Sequence, residues 1–426
     1  MDYFHSVLLN KEKCHGCTNC LRHCPTEAIR VRHGKAKILK ERCIDCGECV
    51  RVCQSHAKYV ASDKFDILSN YKYNVALPAP SFYSQFRTEI SVDTILTAFL
   101  KIGFDDVFEV ARGAEYVSLA TRELLENGKL KKPVISSACP ATLRLIRQRF
   151  PNLLDNVLSL ISPMEAAAIL ARDEAKKKTG LPDEDIGIFF ITPCPAKVTS
   201  IKAPLTLEKS NVFGAISAKD AYAKIRPIIE TITDTLPLSK ATQGGLFWAR
   251  SGGECRNSGV EDYISVDGIH NVIQVLEEIE YGKVNQAQFI ELSACTSGCS
   301  GGPLTLVNPF VASRRITIQA KKKPDEFQPV DIDIDLSWKK TVEPAQVASL
   351  DEDFAVAMEK MQKMDEIADR LPSLDCGSCG APTCKALSED IVRGYANEND
   401  CIFKMRDRVS ELAKKLIELN ESHKRL

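Results

Sequence analysis

Seventeen cysteines in a chain of 426 residues define the chemistry this sequence can do. Eight of them form two runs, CHGCTNCLRHCP at 14–25 and CIDCGECVRVC at 43–53, each spaced C-x2-C-x2-C-x3-C. Three such close thiolates hold three irons of one cubane, and the fourth cysteine crosses to the other cubane. Cluster one therefore takes Cys14, Cys17, Cys20 and Cys53, and cluster two takes Cys43, Cys46, Cys49 and Cys24. Zinc is the alternative, but zinc sites draw on two CxxC pairs rather than two four-cysteine runs. Two adjacent cubanes imply electron transfer. A further set lies near the other end, where Cys376, Cys379, Cys384 and Cys401 are spaced C-x2-C-x4-C-x16-C. Gly377, Gly380 and Pro382 shape a tight ligand loop there, and the long spacer reads as a helix returning Cys401. Zinc stays open for this set as well, with the GAPTC sequence favouring iron.

Four more cysteines stand at strand ends. From about Val75 to Ser337 the pattern turns to apolar β-rich runs alternating with helical periodicity. VALPAP, PVISSA, IGIFFITP and FIELSA read as buried strands. ISVDTILTAFLKIGF, EYVSLATRELLENG, SPMEAAAILARDEAKKKTG and HNVIQVLEEIEYG read as helices, the last three stopped by glycine. PVISSA leads into Cys139, IGIFFITP into Cys194, and FIELSA into Cys295 with Cys299 beyond. Ligands of α/β folds gather beyond strand carboxyl ends, so these four thiols can converge on one more cube. A buried cysteine is by default a small hydrophobe. Here each is followed by loop chemistry instead (CPAT, CPAK and CTSGCSGGP), and Gly298, Gly301 and Gly302 allow close backbone approach to a bulky inorganic group. Four cubes need sixteen cysteines and leave only Cys255 over.

Composition narrows the class. The 56 basic and 57 acidic residues balance, which gives no electrostatic footprint for nucleic acid or a membrane surface. The opening MDYFHSVLLNKEK lacks the apolar core of a signal peptide, and no apolar run reaches spanning length. Cysteine-rich, long and unsecreted, the chain reads as a cytoplasmic metalloprotein rather than a disulfide scaffold.

At these residues the sequence resembles known families. The paired runs are similar to bacterial two-cluster ferredoxins, with Pro25 closing the first as expected and Gln54 standing where the second proline would be. The middle of the chain resembles the catalytic domain of FeFe hydrogenases. SSACPAT (136–142), TPCPAKVTS (192–200) and ELSACTSGCSGGP (291–303) look like that family's three signature segments, and LKIGFDDVFEV (100–110) looks like a fourth. The resemblance implies that Cys139, Cys194, Cys295 and Cys299 hold the cube of an H-cluster. It implies that Cys299 bridges to a diiron subsite carrying CO, cyanide and azadithiolate. Lys197 would hydrogen-bond a cyanide, and Ala79, Pro80, Pro193, Ser162 and Ser293 would line the same pocket. Substrates would be dihydrogen and protons, with a redox partner such as ferredoxin or a signalling protein.

The departures from that pattern set the expected behaviour. Ala138 stands where the family carries its proton-donating cysteine, and a methyl group has no titratable proton. Ser200 lies near a missing carboxylate, Leu119–Thr121 occupies a region of relay glutamates, and Thr192 and Ser293 replace methionines. This combination resembles the sensory branch of the family, with slow turnover. Cys255 reads as an unligated structural thiol, or else as a substitute proton carrier or redox switch.

The expected architecture is an α/β catalytic domain with an amino-terminal α+β two-cluster ferredoxin domain and a small helical iron–sulfur module. Boundaries fall at 1–72, 73–340, 341–405 and 406–426, with KKKPDEFQPVDIDIDLS (321–337) ending the catalytic part. In the last segment Val409, Leu412, Leu416 and Leu419 form an a/d seam. That helix either packs on its own domain, pairs in a homodimer, or leads into a further module. Two other readings stay open for the whole chain: a non-catalytic relative in iron–sulfur assembly, and a multicluster electron-transfer or redox-signalling protein.

Overall fold

The computed structural model describes residues 4–284, 286–327, 329, 334–345, 347 and 349–423. These fall into two compact units: residues 1–7, 44–47 and 60–345 form one, and residues 8–43, 48–59 and 346–426 the other.

The larger unit is built on two parallel sheets. The first orders Asp106–Val107, Tyr73–Pro78, Ile186–Thr192 and Gly214–Ser217. The second orders Tyr263–Asp267, Phe289–Ser293 and Val134–Ile135. Ile186–Thr192 is buried along its whole length, as a strand covered by helices on both faces must be. Alternation divides its neighbours between two cores. Val75, Leu77, Ile188 and Phe190 enter one, and Ala76, Phe189 and Ile191 enter the other. All four strands expected from VALPAP, PVISSA, IGIFFITP and FIELSA are present.

The expected helices form at Val92–Lys101, Val110–Glu126, Pro163–Thr179 and Ile269–Glu280. The glycines after the last three, Gly128, Gly180 and Gly282, adopt left-handed φ of 66°, 69° and 70°, which ends a helix without a Cβ clash. Gly113 lets two of these helices touch, because a Cβ there would stand 2.3 Å from the Pro163 carbonyl oxygen. Residues 328 and 330–333 of the expected boundary segment lie outside the described residues. Beyond it the chain stays on this unit: Trp338 Nε1 donates to the Leu160 carbonyl at 2.7 Å, and the Ala345 amide to Arg147 at 3.0 Å.

The smaller unit brings the two distant cysteine-rich segments together, so the compact units cut across the four-segment division read from the sequence. An antiparallel hairpin, Ile29–Arg32 with Lys35–Ile38, carries the link. Arg30 reaches Asp390 with Nε 2.8 Å from Oδ2, both side chains under 10 % exposed. Arg32 Nη2 donates to the same oxygen at 2.8 Å, and the Val31 amide donates to the Gly380 carbonyl at 2.8 Å. Arg42 pairs with Glu389 alongside. The helix Ile402–His423 leaves Val409, Leu412 and Leu416 more than half exposed, so it does not pack its seam on its own domain. Its final residues 424–426 lie outside the described residues. No described helix is long and apolar enough to cross a membrane.

Candidate active site

Carboxyl ends of strands from both sheets meet at one cavity of about 100 Å³. Cys139 follows Val134–Ile135, Cys194 follows Ile186–Thr192, and Cys295 and Cys299 follow Phe289–Ser293. All four line the cavity, together with Ala79, Pro80, Ala138, Pro193, Lys197 and Ser293. Ser162 does not. It precedes Pro163–Thr179 and faces a small polar side cavity, which also borders Ala138 and Lys197, while Pro163 and Met164 reach the main cavity.

Two cysteines cap helices. Cys139 and Cys194 are the N-cap residues of Pro140–Arg149 and Pro195–Lys202, each followed by proline at the first helical position. Both helices thus turn their positive ends toward the thiols, which favours a negatively charged group between them. Thr192 fixes the second loop: its hydroxyl donates to the Cys194 carbonyl at 3.0 Å and accepts from the Cys194 amide at 3.0 Å. The third loop closes tightly, since a Cβ on Gly302 would stand 2.4 Å from the Pro193 carbonyl oxygen.

The thiols repel one another. Burial pushes Cys194 up to about 12, with Cys139 and Cys299 adding like charge. Cys299 is likewise raised to about 12 by burial, then by Cys295 and Cys139. Cys299 is exposed where it lines the cavity. Four thiols that cannot all ionise unaided, facing two helix amino ends, fit a metal cluster that takes thiolate ligands. Lys197 is the cation among them. Burial lowers its affinity for a proton while Cys299, Cys194 and Cys139 raise it, and its Nζ donates to the Ala138 carbonyl at 3.2 Å.

Sequence reasoning missed a polar wall of the same cavity. Glu254 and Glu291 line it, 5 % and 4 % exposed. Ser136 Oγ donates to Glu254 Oε2 at 2.6 Å and accepts from the Ala138 amide at 3.2 Å. Glu291 accepts from the Gly252 amide at 2.9 Å and the Cys255 amide at 3.1 Å. Burial first, and Glu291 second, push Glu254 up to about 8. The available signal was a glutamate in the middle of the otherwise apolar strand FIELS. Cys255 is fully buried in the core beside Glu291, is not among the residues lining the cavity, and is raised far above the usual thiol range by burial.

Cys46 also lines the cavity. Its loop is pinned by Asp45, whose Oδ1 accepts from the Ser6 and Val7 amides at 3.1 Å each and whose Oδ2 accepts from Thr199 Oγ1 at 2.8 Å.

In the smaller unit, burial raises the Cys20 thiol, Lys58 lowers it, and Cys14, Cys53 and Cys17 raise it again. Cys53 of the second run thus acts electrostatically on Cys20 of the first. Cys401 belongs to an apolar cluster with Ile367, Leu371 and Leu387, against which Cys379 and Cys384 pack. Arg22 Nη2 donates to the Cys376 carbonyl at 3.0 Å, and Arg32 to that of Cys379.

Three family models match along the chain. The family model for the iron-only hydrogenase large subunit, C-terminal domain, matches residues 72–226 and 228–303. A 4Fe-4S dicluster model matches 6–54, and a putative Fe-S cluster model matches 371–403. Iron hydrogenase 1 of Clostridium pasteurianum is 25 % identical over 299 residues, covering 56 % of this chain and 51 % of that protein. The periplasmic iron hydrogenase large subunit of Nitratidesulfovibrio vulgaris is 27 % identical over 219 residues, covering 46 % and 51 %. The chain thus spans about half the length of these curated relatives. Among solved structures, a variant of the FeFe-hydrogenase HydA1 of Chlamydomonas reinhardtii aligns with TM-score 0.47 and 14 % identity over 63 % of this chain and 88 % of that one.

Proposed function

The chain belongs to the iron-only hydrogenase large-subunit family, and from that premise we propose that it interconverts dihydrogen with protons and electrons slowly, as a hydrogen- or redox-sensing member. The observation that carries the reading is the convergence of Cys139, Cys194, Cys295 and Cys299 on one buried cavity with Ala138 beside them. Those four residues would hold the cube of an H-cluster, with Cys299, the most accessible, facing the diiron subsite. When bound, that group would supply heterolytic cleavage of dihydrogen.

The protein's own residues then position charge and move protons. Lys197 places a cation in a dry pocket where cyanide nitrogens would accept its hydrogen bond, which strengthens the contact. Ala79, Pro80, Pro193 and Ser293 exclude bulk water. Ala138 passes no proton, and Ser136 and Glu254 offer a route beside it. Ser136 Oγ donates to Glu254 Oε2, and burial with the neighbouring Glu291 pushes Glu254 up to about 8, which favours its protonated form at neutral pH. Glu291 shares the same wall and, also raised by burial, can take the proton in turn. A relay of two carboxyl groups, with an alanine methyl at position 138 in place of a thiol, fits a slow catalyst suited to sensing. Electrons would leave through the iron–sulfur cubes, with Cys46 lining the cavity. The exposed seam of the last helix, with Val409 at an a position and Leu412 at d, suits a parallel pairing with a second copy.

Infrared spectroscopy of the matured protein tests the proposal. Carbonyl and cyanide stretching bands are expected, together with measurable hydrogen–deuterium exchange. Their absence from a protein that retains its cubes would replace this reading with that of a multicluster electron-transfer protein.

A further inference from the structure

The two four-cysteine runs are internal repeats, so each serves as the control for the other. Cys24-Pro25-Thr26-Glu27-Ala28-Ile29 stands against Cys53-Gln54-Ser55-His56-Ala57-Lys58. Their geometry is the same at each step. The Ala28 amide donates to Cys24 Sγ at 3.2 Å, and the Ala57 amide donates to Cys53 Sγ at 3.2 Å. Glu27 and His56 both take left-handed φ, 51° and 49°. Thr26 and Ser55 hydroxyls lie 3.8 and 3.5 Å from the same sulfurs.

The sixth position breaks the symmetry. Ile29 is 2 % exposed, as an apolar residue there should be, and Lys58 is buried just as deeply at 4 %. The Lys58 Nζ is sealed from solvent and has no hydrogen-bond partner among the described residues. Stripping an ammonium of water in this way is costly unless opposite charge compensates it. The opposite charge at hand is that of the Cys14, Cys17, Cys20 and Cys53 thiolates, since Lys58 is the strongest charged neighbour of Cys20. Those four cysteines, an amide aimed at Cys53 and an orphaned cation all suit an anionic cube.

We infer that Lys58 is a built-in counter-charge for cluster one, which makes that cube easier to reduce than its repeat-related twin. A cube gains a negative charge when it accepts an electron, and a fixed cation in a low-dielectric surrounding lowers the energy of that state. Cluster two has Ile29 at the matching place and receives no such help. The inference rests on the iron–sulfur reading of residues 14–53 and assigns the potentials within it.

The test is a potentiometric titration of the matured full chain, followed by electron paramagnetic resonance of the separate cubes. Lys58→Met keeps the length of the stem and removes the charge. It should shift the reduction equilibrium of cluster one against reduction by about tenfold, ~59 mV for one electron, with the other cubes unmoved. Lys58→Arg should retain the native value. An unchanged cluster one in Lys58→Met, or an equal shift of every cube, would overturn the inference. If Lys58→Met loses its iron, Lys58→Ile, which copies the first repeat, serves in its place with the same two outcomes. Should the native chain hold zinc or no acid-labile sulfide at 14–53, the underlying iron–sulfur reading fails instead, and that result is separable from the first.

Discussion

Replacing Glu254 with glutamine tests the proton route most directly. The amide keeps the volume and can still accept from Ser136 Oγ, which now lies 2.6 Å from the carboxylate, but it cannot pick up and release a proton. With Ser136 3.2 Å from the Ala138 amide and the Ala138 methyl inert, this carboxyl is the titratable group that Ser136 links to that edge of the cavity. Loss of a positioned acid–base group lowers a rate by about 100- to 10,000-fold, which corresponds to ~3–5 kcal/mol at the barrier. Hydrogen–deuterium exchange should fall by that amount in Glu254→Gln. The pH profile carries a second signature. A carboxyl held near 8 keeps its proton through neutrality, so native exchange should decline as pH rises past about 8, and the variant should lose that inflection. The sign for stability agrees: the folded form binds a proton that the unfolded chain has released above its ordinary 4.5, so stability falls between about 4.5 and 8. The variant should flatten that slope. Exchange at the native rate, in a variant whose infrared bands are intact, would refute the relay.

Three other outcomes follow from the same geometry. Ala138→Cys should raise turnover at least tenfold if proton delivery at that edge is limiting, read by hydrogen evolution at matched cluster content. No gain would mean that the wall of Glu254 and Glu291 already sets the rate. Asp390→Ala leaves the Arg30 guanidinium, with a side chain only 6 % exposed, without its carboxylate and should destabilise the smaller unit by about 3–5 kcal/mol. Denaturant unfolding with iron release from the Cys376–Cys401 set measures this. Gly302→Ala forces a Cβ to within 2.4 Å of the Pro193 carbonyl oxygen, so the Cys299 loop must shift and iron loading of the cavity should drop, measured as iron per chain against the native protein.

Strand ends and cysteine sets were legible because both are written locally. Alternating or continuous apolar runs mark Tyr73–Pro78, Ile186–Thr192 and Phe289–Ser293, and a thiolate cluster needs ligands at fixed short spacings. What escaped was whatever depends on residues far apart in the chain. Ser136 and Glu254 are 118 positions apart, and neither carries a motif that points to the other. Arg30 and Asp390 are 360 apart, and their union is what turns two sequence segments into one compact unit. Ser162 was misplaced for a smaller reason: the turn into Pro163–Thr179 points the proline and Met164, rather than the serine, at the main cavity. Lys58 sat in plain view as a break in a repeat, but its burial could not be read from the sequence.

The buried pairing of Arg30 with Asp390 also has a consequence in time. A ribosome delivers the hairpin of Ile29–Arg32 and Lys35–Ile38 early and Asp390 only 360 residues later, roughly 20–70 s at ordinary elongation speeds. Throughout that interval the nascent hairpin carries an arginine with no carboxylate to receive it, beside thiols that bind metal readily. The Arg30–Asp390 contact can therefore close only after residue 390 has been made.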